Sequence, residues 1–354
     1  MIDFRYHLVS IVAVFLALAI GIVLGAAELQ GPTYNILNHT TAKLQNEYDQ
    51  TRGQLATAQA QASEGEAYAQ AVEPAVVRDL LTGQRLLIIT EPGAQSSVVS
   101  GISAAAADAG ATVTGQIALQ PEFFDTSSTT QDSLNQTNLD VARSAGISLA
   151  NSGSYQQQAV QVIASEILTT SSKSGPDQPT GSQLAISPSG SADQSSNAQT
   201  ILSAYASSGF LNTTGQPATQ ASLVVVVTPQ NVPSDGNADP LDQVLPPLVA
   251  ELAATSSATV VAGSSAGSGP GSPIAVLRSN NVANQVSTVD DADLASGQSV
   301  VIQALAILLA GGKAGSYGLA ANGANAVAPT PAPTPSASPS PTPTPTSSSK
   351  KAKK

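Results

Sequence analysis

Hydrophobic and polar positions fall into four successive regimes along the chain. From Leu8 to Ala27 no residue is charged, and most are Val, Ile, Leu, Ala or Phe. A helix over that run, rising about 1.5 Å per residue, covers about 30 Å, the hydrocarbon thickness of a bilayer. Residues 34–72 then adopt a 4-3 spacing through Leu37, Thr41, Leu44, Tyr48, Thr51, Leu55, Ala58, Ala62, Gly65, Ala69 and Val72. This predicts a helical stalk with coiled-coil periodicity, firmest between Leu37 and Leu55 and diluted by Thr, Ala and Gly beyond. Gly31-Pro32 is expected to break the helix or mark its exit from the membrane, and Glu73-Pro74 to end or kink it.

From Val76 to about Leu319 short unbroken apolar runs alternate with helical stretches. The runs Leu86–Thr90, Val113–Leu119, Leu184–Ser187, Leu223–Thr228 and Thr259–Ala262 read as strands buried on both faces, with a weaker one at Ile274–Leu277. Helices are expected at Val98–Ala109, Asn138–Ala145, Gln156–Leu168, Ala198–Ser208, Leu241–Ala254 and Ser296–Ala310. Strands alternating with helices imply parallel pairing through right-handed crossovers, hence an α/β fold with a doubly wound, Rossmann-like, mostly parallel sheet. Beyond it, eight of the seventeen residues from Pro329 to Pro345 are proline. That composition predicts an extended, disordered Pro/Ser/Thr tail ending in Lys350, Lys351, Lys353 and Lys354. The organisation is therefore a membrane anchor (1–28), a stalk (29–75), an α/β domain (76–320) and a tail (321–354).

The apolar segment admits two fates. Gly25-Ala26-Ala27 offers a small-residue cleavage site, as in a signal peptide. A secretory core is usually about 7–15 apolar residues behind a basic stretch. Here the run is longer and Arg5 is the only Lys or Arg before it, so a retained single-pass anchor is expected. Arg5 and the N-terminal amine precede the span, and the next Lys or Arg is Lys43. The positive-inside bias then places the N-terminus in the cytoplasm and the bulk of the chain outside, in the cell envelope. Gly21 and Gly25 form a GxxxG spacing, a candidate packing face between membrane helices. The stalk seam reads either as a parallel stalk joining protomers or as one amphipathic helix lying on the globular domain. A homo-oligomer through stalk and membrane helix follows from the first reading.

Composition narrows the chemistry. The chain contains no cysteine, which removes disulfides, thiolate metal sites, a cysteine nucleophile and a lipobox. A net charge of −11 argues against nucleic acid as a partner. The two histidines are His7, at the membrane edge, and His39, in the stalk, so the α/β domain has none and no Ser-His-Asp triad fits within it. Its only lysines are Lys173 and Lys313. The turn Glu91-Pro92-Gly93-Ala94 has one glycine where a dinucleotide fingerprint needs three, and no Walker lysine is present. The expectation is a protein without a cofactor and without a catalytic role.

One polar constellation stands out. Val286–Val289 reads as a strand leading into Asp290, Asp291 and Asp293, followed by a helix from near Ser296. Carboxylates beyond the C-terminal end of a parallel strand lie where doubly wound sheets bind ligands. They form a candidate ligand or partner loop, able in principle to hold a hard cation. Capping and dipole complementation of the following helix is the alternative.

The opening MIDFRYHLVSIVAVFLALAIGIVLG, the turn Glu91-Pro92-Gly93-Ala94, Ala109-GATVTG, Val286-STVDDAD, Gly297-Gln298 and Gly315-Ser316-Tyr317-Gly318 resemble the actinobacterial MctB family. The resemblance covers residues 1 to about 320. It implies an envelope protein that lowers intracellular copper, by export or channel formation. Some relatives are tied instead to septal wall assembly and cell separation, which implies a non-catalytic scaffold and an envelope or divisome partner. Cu(I) prefers thiolate, thioether or imidazole, and this chain offers no Cys, Met1 alone among methionines, and two histidines flanking the bilayer. Nor do its continuous apolar strands match the alternating segments of an outer-membrane barrel. Both the copper reading and the scaffold reading stand at this point.

Overall fold

A computed structural model of the chain describes residues 4–149, 153–169, 191–230, 240–267, 269 and 271–319. The strand expected at Leu184–Ser187 and the tail from 321 lie outside the described residues. The chain divides into two compact units, Met1–Tyr68 and Ala69–Lys354.

Helix α1 runs from Phe4 to Val77. It continues through Gly31-Pro32, where a break was expected, and ends a few residues beyond Pro74. A proline removes one amide donor and costs about 3 kcal/mol in a helix interior. Once nucleated, however, a helix gains a hydrogen bond with every residue added, so long flanks on both sides carry it past one such position. Within the first unit Leu8, Phe15, Leu16 and Leu24 are exposed, as are Leu44, Tyr48 and Leu55 further along.

The second unit carries β1 (Arg85–Thr90), α2 (Ser96–Asp108), β2 (Thr112–Leu119), α3 (Pro121–Phe124), α4 (Ser128–Ala145), α5 (Tyr155–Ile167), α6 (Ser191–Ser207) and β3 (Leu211–Gly215). It continues with β4 (Leu223–Val227), α7 (Pro240–Thr255), β5 (Ala258–Ala262), α8 (Pro273–Ser279), β6 (Ser287–Val289), α9 (Ala295–Leu309) and β7 (Ser316–Tyr317). Seven strands form one sheet in the order β3-β2-β1-β4-β5-β6-β7. All neighbours pair in parallel except β3, which runs antiparallel to β2. The protein is thus a mixed α/β fold with a mostly parallel sheet.

Side chains of the central strands alternate between two cores, as a period of two demands. Leu87, Ile89, Val224, Val226 and Val261 pack into one core with α4, α5, α6 and α7. Leu86, Ile88, Leu223, Val225, Val227 and Val260 pack into the other with α2 and α9. Both faces being covered, β4 is buried at every position. That is why it reads as an unbroken apolar run.

Among the differences from expectation, α8 and β3 are the most instructive. Ile274–Leu277 is not a strand but the body of α8: Ser272 caps it by accepting from the Ala275 amide at 3.1 Å, and Pro273 occupies its first turn. β3 was not expected, because four of its five residues (Asn212, Thr213, Thr214 and Gly215) are exposed on the sheet's edge and show no apolar pattern.

Candidate functional site

The carboxyl ends of β1, β4, β5 and β6 converge on one rim of the sheet. The strand order reverses between β1 and β4, so this rim includes the switch point at which open parallel sheets commonly bind ligands. Glu91 follows β1 and is buried; its amide donates to the Val227 carbonyl at 3.0 Å, stitching the rim across the reversal. Gln95, preceding α2, and Gln230, beyond β4, are joined by a side-chain hydrogen bond. Ser264, just past β5, has a buried hydroxyl with no hydrogen-bond partner.

The loop after β6 is the most charged part of this rim, and its three carboxylates go to three different places. Asp290 is completely buried and forms an ion pair with Arg278, Nη1 to Oδ2 at 2.6 Å. Arg278 reaches it from α8 and also donates through Nε to Thr288 Oγ1 at 2.9 Å and through Nη2 to the Tyr317 carbonyl at 2.7 Å. The other carboxylate oxygen of Asp290 accepts from the Leu319 amide at 2.7 Å. One carboxylate and one guanidinium therefore fasten α8, β6, β7 and Leu319, two residues beyond it. Gly318, with φ of +122°, sits against the Asp290 carboxylate where a Cβ would overlap it.

Asp293 turns to the loop after β5. Its oxygens accept from the Ser265 amide at 2.9 Å and the Ser265 hydroxyl at 3.0 Å. Asp291 is buried with Oδ1 lacking a partner. Burial first, and then the neighbouring Asp290 charge, push its pKa up to about 6. Its backbone carbonyl accepts from Leu294, and Gly297 of α9 packs directly against that carbonyl.

The capping alternative for these residues differs from what is seen. The residue at the N-cap of α9 is Leu294, with no side-chain cap hydrogen bond, and the first turn holds no acidic residue. Asp290 pairs with Arg278 and Asp293 with Ser265, and neither is the N-cap residue of the helix. Among the described residues no group of three or more His, Asp or Glu side chains is arranged to hold a metal ion. The residue that sequence reasoning missed is Arg278. Its usable signal was scarcity, since residues 76–320 contain four arginines, Arg78, Arg85, Arg143 and Arg278.

In the other unit, Tyr6–Gly25 is a helical run of 20 residues with a mean hydropathy of 2.9, long and apolar enough to cross a membrane. Gly21 and Gly25 lie on it with open space where a Cβ would point.

Comparison with known proteins covers nearly all of these elements. The family described as "Copper transport outer membrane protein, MctB" matches residues 1–329. The chain is 29% identical over 324 residues to the copper transporter MctB of Mycobacterium tuberculosis, spanning 90% of this chain and 96% of that protein. The Mycobacterium bovis protein of the same name matches equally, and that of Mycobacterium leprae is 27% identical over 326 residues, again across 90% and 96%.

Proposed function

The chain belongs to the MctB family, and on that premise we propose that it is a single-pass, membrane-anchored cell-envelope protein acting in copper transport. The family match carries this reading, because it runs unbroken from residue 1 to 329 and so takes in the apolar run, the rest of α1 and the whole described sheet. The run Tyr6–Gly25 supports anchoring. Arg5 before the span, with no further Lys or Arg until Lys43, supports a cytoplasmic N-terminus and an extracytoplasmic sheet domain. The reversal of strand order between β1 and β4 supports a Rossmann-like description of that domain.

The donor inventory shapes the way copper is handled. No thiolate is present, Met1 is the single thioether, and the imidazoles of His7 and His39 belong to the N-terminal segment. A copy of the sheet domain has no soft ligand to hold Cu(I) at rest, so its part is architectural: a piece of a conduit or of an assembly around one. One membrane helix encloses no pore, and conduction needs several copies or a partner. A non-catalytic role is supported by the lack of histidine in residues 76–320 and by their two lysines. The mycobacterial relatives carry a copper transporter name, which favours this reading over that of a septal scaffold.

The test is intracellular copper in a deletion strain grown with excess copper. Copper should rise on deletion and return to the parental level with the full chain. Unchanged copper, with a defect in cell separation instead, would reverse the choice between the two readings.

A further inference from the structure

We propose that α1 pairs with α1 of a second copy of this chain, parallel and in register, along the face carrying Leu44, Tyr48, Thr51 and Leu55. Leu44, Tyr48 and Leu55 are 60%, 63% and 57% exposed, although they recur at the spacing of a seam. In heptad terms Thr41, Tyr48, Leu55 and Ala62 take the a positions, and Leu44, Thr51, Ala58 and Gly65 the d positions. All lie within the first unit of the chain.

Charge identifies the occupant and its direction. Flanking the seam, the g positions are Thr40, Glu47, Gln54 and Gln61, and the e positions are Gln45, Arg52, Gln59 and Glu66. In a parallel pair, each g residue faces the e residue five positions on in the other copy. In register this sets Glu47 against Arg52 twice, once on each side of the seam. A slip of one heptad sets the two glutamates against Gln45 and Gln59, and the two arginines against Thr40 and Gln54, so no charged match is left. An antiparallel pair faces g with g and e with e, which offers no such match at equal register. Arg52 makes no ion pair within the chain among the described residues, and Glu47 meets only the exposed Lys43, at 3.7 Å. The shared direction also follows from the anchor proposed above, since two copies inserted the same way run the same way; that step rests on the anchoring.

The chain has no cysteine, so two copies carrying a single introduced thiol can be cross-linked to each other only through that position. The full chain is expressed in membranes as Leu44→Cys, Leu55→Cys or Asn46→Cys, the last on the outer face, and treated with a mild oxidant or a short bis-maleimide. Both seam variants should give covalent dimer, at least about tenfold above Asn46→Cys. An antiparallel pair can join identical residues at one level only, so dimer at one seam position and not the other would overturn the proposal. Equal yields at all three positions, or none in membrane-bound chain, would overturn it as well. Recovery of the chain in the soluble fraction would instead refute the anchor, and the seam variants then test the pairing by itself. In the Leu44→Cys background, Glu47→Arg should cut the yield several-fold, and adding Arg52→Glu should restore it. The double variant keeps the altered neighbour of Lys43, so recovery reports the intermolecular pair; no recovery would refute the assigned register.

Discussion

Arg278 and Asp290 meet at 2.6 Å with side chains 7% and 0% exposed, an ion pair closed off from water at the end of β6. Removing two charges from water is costly, and here the cost is offset by full satisfaction: Arg278 also serves Thr288 and Tyr317, and Asp290 also serves Leu319. Arg278→Met should therefore lower unfolding stability by about 3–5 kcal/mol, because it strands a buried carboxylate. Arg278→Met/Asp290→Leu should recover most of that loss. Denaturant titration of the three chains measures both, and a single variant as stable as wild type would show that the pair contributes nothing.

Asp291 makes the pH dependence of this loop testable. Its carboxyl titrates near 3.8 when free and at about 6 in the folded chain. Between those values the folded state holds more protons than the unfolded one, so this group's contribution to stability falls as pH rises from about 4 to about 6 and stays low above. Asp291→Asn should be more stable than wild type at pH 7, on the order of 1–3 kcal/mol. The advantage should shrink as the pH drops towards 4. Thermal melts across that window decide it, and an advantage that grows on acidification would contradict the sign.

Gly297 lies in the first turn of α9, where alanine would ordinarily gain about 1 kcal/mol. A Cβ there would overlap the Asp291 carbonyl and crowd its Oδ1. Crowding of this kind costs about 1–3 kcal/mol, so Gly297→Ala should destabilise on balance. A raised melting temperature would mean that the loop yields without strain.

Val225 sits at the middle of β4, fully buried between β1 and β5. Val225→Asp places a carboxylate with no cation in that core and should cost several kcal/mol. Loss of the cooperative unfolding transition is the expected readout. An unperturbed variant would remove β4 from the core.

Cu(I) competition titration of the purified full chain should find no tight site. A dissociation constant below about 1 nM would expose a donor set that Met1, His7 and His39 do not supply.

Legibility followed burial. β1, β4 and β5 are covered on both faces, so their apolar runs announced them. Leu223–Val227 is the clearest case. β3 lies at an edge with its residues after Leu211 exposed, and nothing in Asn212-Thr213-Thr214 separates such a strand from a loop. Ile274–Leu277 has an apolar run compatible with either strand or helix, and the decisive signal was outside it, in Ser272-Pro273. The aspartate cluster was visible as composition. Its geometry was not, because the partner of Asp290 comes from α8, an element misread as a strand. For the same reason, replacing all three aspartates by Asn is no mild change. An Asn keeps most of a capping bond, but at position 290 it breaks a buried ion pair.

The ends of the sheet bear on how newly made chains avoid one another. Parallel strands pair late, because each crossover must close before its partner strand arrives, and growing sheets expose unpaired amides meanwhile. One end here is β3, polar along its exposed length, and the other is β7, two residues long and backed by the Arg278–Asp290 clamp. Neither offers a long apolar ladder for another chain to extend. Two folded copies therefore have little to gain by adding sheet to sheet, and crowded copies can stay separate sheets.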